Sequence, residues 1–385
     1  MTEKSEQDER QRRNAAYRQA RRALSRHSAV STVGEALAAL AAGAGEVFDL
    51  DSGVDIYGDG VVAELEQRVA ALLGFPDAAF FPTGTMAQQV ALRCWAARTG
   101  NATVALHPMA HPEVHERGAL GAVSGLRTVY PTDAPRLPTA DEVRDFDEPF
   151  GTLMLELPLR DAGFVLPSWE ELVAVVQAGR ERDAVVHFDG ARLWECTAHF
   201  GQPLREIAGL ADSVYVSFYK SLGGLSGAVL AGDASLVAEA RTWRHRYGGQ
   251  IFQQYPAALG ALIGLERELP RLESYVAHAK VVAEALGEGL REGVRGGALP
   301  WFRINPEVPH THQFQVWLPY GADVLGEASV RLAEETGVVL FSRWNDAPGG
   351  PPGVSCTEVT VAASGLEWTA DDVRVAVAGF LQRVG

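Results

Sequence analysis

The chain has 385 residues, 47% of them hydrophobic and 22% charged, with a formal net charge of −15. That length supports a large core, expected as one big domain and one smaller, and the acidic balance speaks against nucleic acid or an anionic membrane as partner. Cys94, Cys196 and Cys356 show neither pairing nor metal-ligand spacing, which points to reduced thiols and a cytoplasmic home.

No apolar run reaches bilayer length, and the charged N-terminus lacks the apolar core of a signal peptide. Residues 1–26 are dense in Arg, Glu, Asp and Gln and read as a solvated helix or a disordered arm. Residues 34–40 are a short helix candidate, and 51–60 are a polar loop containing Tyr57-Gly58-Asp59-Gly60. Val62, Leu65, Val69, Leu72 and Leu73 then recur at helical spacing, closed by Gly74.

Residues 78–81 read as a short buried strand running into Pro82-Thr83-Gly84-Thr85, followed by a helix over 86–98 stopped by Gly100. A strand, a small polar turn and a helix N-terminus present free N–H groups and hydroxyls to an anion such as phosphate. Thr85 is equally explained as an ordinary N-cap. Residues 103–106 form a strand before the His-rich loop 107–117, and 152–157 form another before a Pro-rich loop and a helix over 169–177. The strand 184–188 ends at Asp189-Gly190-Ala191-Arg192.

Next comes the stretch around which the rest is organised. Val214, Val216 and Phe218 alternate as in a buried strand, Lys220 stands just past its end, and Gly223, Gly224 and Gly227 follow. The chain has only three lysines; Lys4 lies in the charged tail and Lys280 on an amphipathic helix, so only Lys220 is placed to be desolvated. Free lysine titrates at about 10.4, and burial lowers that value and makes the amine a carbonyl nucleophile. Arginine stays protonated and cannot do this.

A strand over 228–231 and a helix over 235–246 continue the alternation, which predicts a mostly parallel sheet covered on both faces with ligands at the strand C-termini. From 256 to about 292 the pattern is helical. A smaller α/β portion follows: strand 311–318, helix 324–336, strands 338–341 and 354–362, and helix 370–384, with a Gly/Pro-rich loop over 347–353. The expected division is an N-terminal arm and helix over 1–45, a large domain over 46–265 and a small domain over 266–385. His310 and His312 lack a third ligand nearby and read as strand decoration rather than a metal site.

Three strand ends thus offer an anion cradle at Thr83-Gly84-Thr85, a carboxylate at Asp189 beside Arg192, and an amine at Lys220. Pyridoxal phosphate uses all three: phosphate, protonated ring nitrogen and aldehyde.

On these residues the sequence resembles the pyridoxal-phosphate-dependent threonine aldolases and related β-eliminating lyases of the fold-type-I aminotransferase superfamily. Ile56-Tyr-Gly-Asp59, Phe81-Pro-Thr-Gly-Thr85, His187-Phe-Asp-Gly-Ala-Arg192 and Lys220 with its glycines match that family's motifs, over about residues 56–255. The resemblance implies that Lys220 forms the internal aldimine and Asp189 pairs with the pyridinium nitrogen. It places Arg192 near the ring's phenolic oxygen or the substrate carboxylate, and Gly84 and Thr85 on the phosphate. Ser217 either adds a hydroxyl to the phosphate or faces solvent from the strand. His111 is the family's ring-stacking histidine, and it is also able to take a proton from a β-hydroxyl; His107 and His115 read as loop residues. Tyr57 either reaches a neighbouring subunit's site, since such sites form at a dimer interface, or packs in the core.

Several positions depart from the family. Its Glu-Asn-Thr-His reads Glu156-Leu157-Pro158-Leu159 here, which removes a second imidazole and makes that wall apolar. Its C-terminal Arg-Leu-Val-Thr reads Thr357-Glu358-Val359-Thr360, without the cation for a substrate carboxylate. Arg343 is a substitute or a solvent-facing residue, and Glu358 is positioned to read a cationic group on the substrate. Phe252 and His245 stand where an Arg and a Lys are typical. The expected activity is aldol cleavage of a β-hydroxy-α-amino acid other than threonine, to glycine and an aldehyde, by a homodimer or homotetramer. β-Elimination and transamination are the alternatives on the same groups, and a non-catalytic scaffold is a third.

Overall fold

The computed structural model describes residues 3–25, 32–347 and 350–384. The chain divides into two compact units, one built from Ala38–Arg271 and the other from Met1–Leu37 with Leu272–Gly385.

The first unit is organised on a seven-stranded sheet. Its order is Asp77–Phe81, Ala228–Gly232, Ser213–Ser217, Val185–Gly190, Thr152–Glu156, Thr103–Ala105 and Arg127–Val129. Only Ala228–Gly232 runs antiparallel to its neighbours. The Thr152–Glu156 and Ser213–Ser217 strands are buried at every position, as strands covered on both faces must be. Register sets Glu156 beside Asp189, and Asp189 beside Tyr215.

The reversal at Ala228 has a local cause. A parallel crossover needs a dozen or more residues, and the segment between Ser217 and Ala228 is too short to carry a covering helix. It closes as a loop instead, and Lys220 rides on it. Gly227 in that loop has a φ of 95°, and a Cβ there would collide with the Phe80 ring. The strand Arg127–Val129, absent from the sequence reading, is a three-residue edge strand with one buried position.

A buried ion network ties the first strand to its flanking helices. Glu66, on the helix Gly60–Leu73, accepts the Phe80 backbone N–H at 2.7 Å. From the helix Ala234–Arg246, Arg241 donates to Glu66 at 2.8 Å and Arg244 at 3.2 Å. Arg244 also donates to the Phe80 carbonyl. Thus the strand that delivers Thr83 is held by charge as well as by packing.

The second unit carries a four-stranded antiparallel sheet in the order Asn345–Asp346, Ser355–Thr360, Gln313–Leu318, Arg303–Asn305. Helices Leu272–Arg295, Ala322–Thr336 and Ala370–Leu381 contribute to its core, where Phe380 packs on Phe341 at 5.1 Å and on Trp344 at 5.9 Å. The helix Glu3–Gln19 groups with this second unit. It sends Arg12 to Glu327 at 2.8 Å and Glu334 at 2.7 Å, and Arg22–Ala23 pairs in parallel with Val338–Val339. The strand expected over 338–341 is shortened to that pair. Within the loop expected over 347–353, residues 348–349 lie outside the described residues.

Candidate active site

Side chains at the C-terminal ends of neighbouring parallel strands share a face when their register matches. His187 and Asp189, Tyr215 and Ser217 do so. His187 is wholly buried, with Nδ1 at 2.7 Å from Ser213 Oγ and Nε2 at 2.7 Å from Gln88 Oε1. The Trp95 indole donates to the same Ser213 oxygen at 2.7 Å, so the Ser213 hydroxyl proton goes to Nδ1 and Nε2 carries the imidazole proton. Burial drives the ring's pKa down to about 3 and keeps it neutral. It braces the strand from which Asp189 projects.

Asp189 is buried, and its Oδ1 accepts the Ala191 N–H at 3.1 Å. Burial raises its pKa, while Lys220 and His111 oppose that rise. Glu156 next to it is likewise buried; burial first, then the Asp189 charge, pushes its carboxyl up to about 7. Two carboxyls side by side in a dry site do not both ionise readily. Lys220 is partly buried. Loss of hydration, followed by the Arg192 charge, lowers its amine to about 8, against the pull of Asp189 and Glu156. Lys220, Asp189, Glu156, Arg192 and His111 therefore form one electrostatic unit.

The other end of the site is the turn after Phe81. The helix Gly84–Thr99 begins two residues earlier than the sequence reading placed it, and its N-cap is Thr83, whose Oγ1 accepts the Met86 N–H at 3.2 Å. The cap is therefore Thr83 and not Thr85. Gly84 and Thr85 are first-turn residues, whose N–H groups lack a helical acceptor. A Cβ at Gly84 would overlap the Tyr215 phenol, so only glycine lets the turn approach that strand. Ser217 is wholly buried with no hydrogen-bond partner for its hydroxyl, which rules out the solvent-facing alternative. Arg192 Nε is also buried without a partner, and the guanidinium lies 5.2 Å from the Phe164 ring centre. Orphaned donors, a glycine-walled turn, a low-pKa amine and a buried carboxyl fit pyridoxal phosphate. Gly84, Thr85 and Ser217 suit its phosphate, Asp189 its ring nitrogen and Lys220 its aldehyde. Tyr215, beside Gly84 and wholly enclosed, was missed in the sequence; its position two residues before Ser217 on one strand face was the available signal.

His111 opens a single helical turn, His111–Val114. Glu156 accepts its backbone N–H at 2.7 Å, and Glu116 Oε1 lies 3.3 Å from its Nδ1. His115 lies in the turn that follows this helix. Its Nε2 is 2.7 Å from Asp161 Oδ2, and its ring centre is 5.2 Å from that of His111. The i, i+4 spacing was the sequence signal for this pair. His107, in contrast, is spent locally, with Nε2 2.7 Å from the Ala134 carbonyl and Nδ1 accepting from Met109.

Leu159 is wholly buried and bridges to Val165, and the partly exposed side chains of His115 and Arg160 meet Asp161, two residues further on. Tyr57 is 53% exposed with a φ of 54°, its ring edge-on to Phe252, so it is not a core residue. Arg343 is exposed, and Glu358 is half-buried opposite Gln315; both belong to the second unit. His312 is buried there, with Nδ1 2.7 Å from the Val361 carbonyl.

The family model for beta-eliminating lyases matches residues 44–292. A crystal structure from Exiguobacterium sp. 255-15, proposed as an aromatic amino acid beta-eliminating lyase/threonine aldolase, is 35% identical with a TM-score of 0.85, covering 97% of this chain and 99% of that one. One from Listeria monocytogenes, proposed as an L-allo-threonine aldolase, is 33% identical at the same TM-score and the same coverage of both chains. The low specificity L-threonine aldolase of Escherichia coli strain K12 is 33% identical over 244 residues, spanning 61% of this chain and 72% of that one.

Proposed function

Since this chain belongs to the beta-eliminating lyase family, with the α/β fold of the fold-type-I pyridoxal-phosphate enzymes, we propose that it cleaves a β-hydroxy-α-amino acid other than threonine to glycine and an aldehyde. The cofactor is pyridoxal phosphate, and the chain is a pyridoxal-phosphate-dependent lyase of the threonine aldolase type. The observation that carries the reading is the strand register that sets the buried Asp189 beside Tyr215, with Gly84 against the same Tyr215 and Lys220 on the loop that follows that strand.

When bound, pyridoxal phosphate supplies an aldehyde for amines and a ring that takes up the electron pair of a bond broken at Cα. Lys220, part neutral at physiological pH, is the residue that holds the aldehyde and gives it up to the substrate amine. Asp189 keeps a proton on the ring nitrogen, and its cost of burial is offset by that proton. Gly84, Thr85 and Ser217 bind the phosphate through N–H and O–H groups. Arg192 would bind the cofactor's phenolic oxygen or the substrate carboxylate. His111, held by Glu156 and Glu116, would stack on the ring. Tyr57 is proposed for a neighbouring subunit's site. Preference away from threonine is supported by two departures: Leu159 in place of the family's second histidine, and Glu358 in a segment that elsewhere carries an arginine.

The setting is proposed to be a cytoplasmic homo-oligomer. Its three cysteines are unpaired and buried, and no helix among the described residues is long and apolar enough to cross a membrane. The test of function is a panel of β-hydroxy amino acids, threonine included, scored for glycine and aldehyde. Glycine from a member other than threonine, faster than from threonine, is the expected result. Pyruvate and ammonia without glycine would move the activity to β-elimination, and a stable pyridoxamine form with 2-oxo acids would move it to transamination.

A further inference from the structure

We propose that His115, oriented by Asp161, is the base that takes the β-hydroxyl proton, in place of the imidazole that Leu159 removes. The inference rests on the aldolase reading above and adds the residue that performs its proton transfer.

The geometry has three parts. First, His115 and His111 lie one helical turn apart, with the His115 N–H donating to the His111 carbonyl at 2.9 Å. That places both rings on one side of the turn, 5.2 Å apart and tilted by 46°. Second, the two are held differently. His111 is fastened from within, by Glu156 on its backbone and Glu116 at Nδ1, and its charge is felt at Asp189 and Glu156 on the floor of the site. The His115 side chain is 37% exposed and is held by Asp161 instead. Third, the contact of 2.7 Å between His115 Nε2 and Asp161 Oδ2 is the shortest that ring makes. The Asp161 side chain is 9% exposed. A hydrogen bond that short to a buried carboxylate assigns the imidazole proton to Nε2. Nδ1 then carries the lone pair, and it has no hydrogen bond within the described residues.

A base with one nitrogen bare and the other fixed by a buried carboxylate is the arrangement that general-base catalysis requires. Arg160 Nη1, at 3.2 Å from His115 Nε2 and 3.4 Å from Asp161 Oδ1, is the remaining charge on the pair. At those longer distances it balances the Asp161 charge without displacing the shorter bond. The step balances as follows. The β-hydroxyl proton passes to His115 Nδ1, and the O–H electron pair becomes the second bond of the aldehyde carbonyl. The Cα–Cβ bond breaks and its pair is left at Cα, where bound pyridoxal phosphate would take it up. A proton returned to Cα completes glycine.

The experiment compares wild type, His115→Phe and Asp161→Asn holoenzymes in two reactions. One is glycine release from the best β-hydroxy amino acid of the panel. The other is exchange of the glycine α-hydrogen in deuterated water, which needs the same cofactor machinery but no β-hydroxyl base. For His115→Phe, kcat for cleavage is expected to fall about 10²- to 10⁴-fold with KM little changed, while exchange stays within about twofold. Asp161→Asn is expected to lower cleavage by a smaller factor in the same selective way. Nitrogen-15 NMR of the ring gives a readout independent of turnover: His115 protonated at Nε2 in wild type, with the tautomer redistributed in Asp161→Asn. Equal loss of cleavage and exchange, or no loss of either, overturns the role of His115, as does a wild-type ring protonated at Nδ1. A wild type that exchanges glycine but cleaves no β-hydroxy amino acid overturns the aldolase reading itself.

Discussion

Lys220 is chemically distinct from the chain's other cations because the site removes its water and sets Arg192 nearby. Only the neutral amine attacks an aldehyde. Its neutral fraction rises about tenfold per pH unit until the pH passes the pKa. The cofactor-free protein is therefore expected to take up pyridoxal phosphate faster as pH rises from 6, levelling off above about 8, followed by absorbance of the bound cofactor. Uptake independent of pH over that range would show that the amine is not held where the fold places it. At this scale the sequence was informative wherever chemistry forced the residue type. Lys220, Asp189 and Arg192 were legible because an amine, a carboxylate and a guanidinium are rarely set on successive strand ends for packing. Ser217 was ambiguous, since a hydroxyl on a strand is neutral about its surroundings; only its complete burial without a partner resolves it. The pairing of His115 with Asp161 was not visible in the sequence, because the two are 46 residues apart.

Among the elements, the strand Asp77–Phe81 matters most, because it ends in the anion-binding turn. Glu66 holds this strand through the Phe80 N–H and two arginines. Both Glu66 and Arg244 are buried, and removing one member of a buried ion pair leaves the other charge uncompensated. Glu66→Ala is expected to destabilise the protein by about 3–5 kcal/mol, with Glu66→Gln intermediate. Urea denaturation measures this, and a loss below about 1 kcal/mol would mean that the network contributes nothing beyond a surface pair. Strand and helix identity in this region was readable from hydrophobic spacing and from Gly74 and Gly100 as helix stops. The direction of Ala228–Gly232 was not read, because it follows from the length of a connection rather than from the strand's own residues.

For the whole molecule, the question is what covers the apolar surface of the first unit. Ile56, Tyr57, Leu225, Ile251 and Phe252 are exposed there, at the 51–60 loop, the Lys220 loop and the segment after Arg246. Exposed large apolar groups on a chain with a net charge of −15 call for cover, and the proposed homo-oligomer would supply it with a second copy of the chain. Light scattering is expected to report a mass of at least twice 41.3 kDa. Tyr57→Ala is expected to lower activity together with the dimer's stability. A fully active monomer would show that the site is complete within one chain.

By itself the sequence determined the fold class, the cofactor and the lyase family, because period, turn chemistry and scarce residue types are local properties. Tertiary structure alone decided which hydroxyl is sealed from water, that Leu159 lies in the core while His115 faces out, and that the N-terminal helix belongs to the unit built mainly from Leu272–Gly385. Each of these depends on which distant residue occupies the neighbouring space. Burial and charge pairing are set by that neighbour, and no spacing along the chain records it.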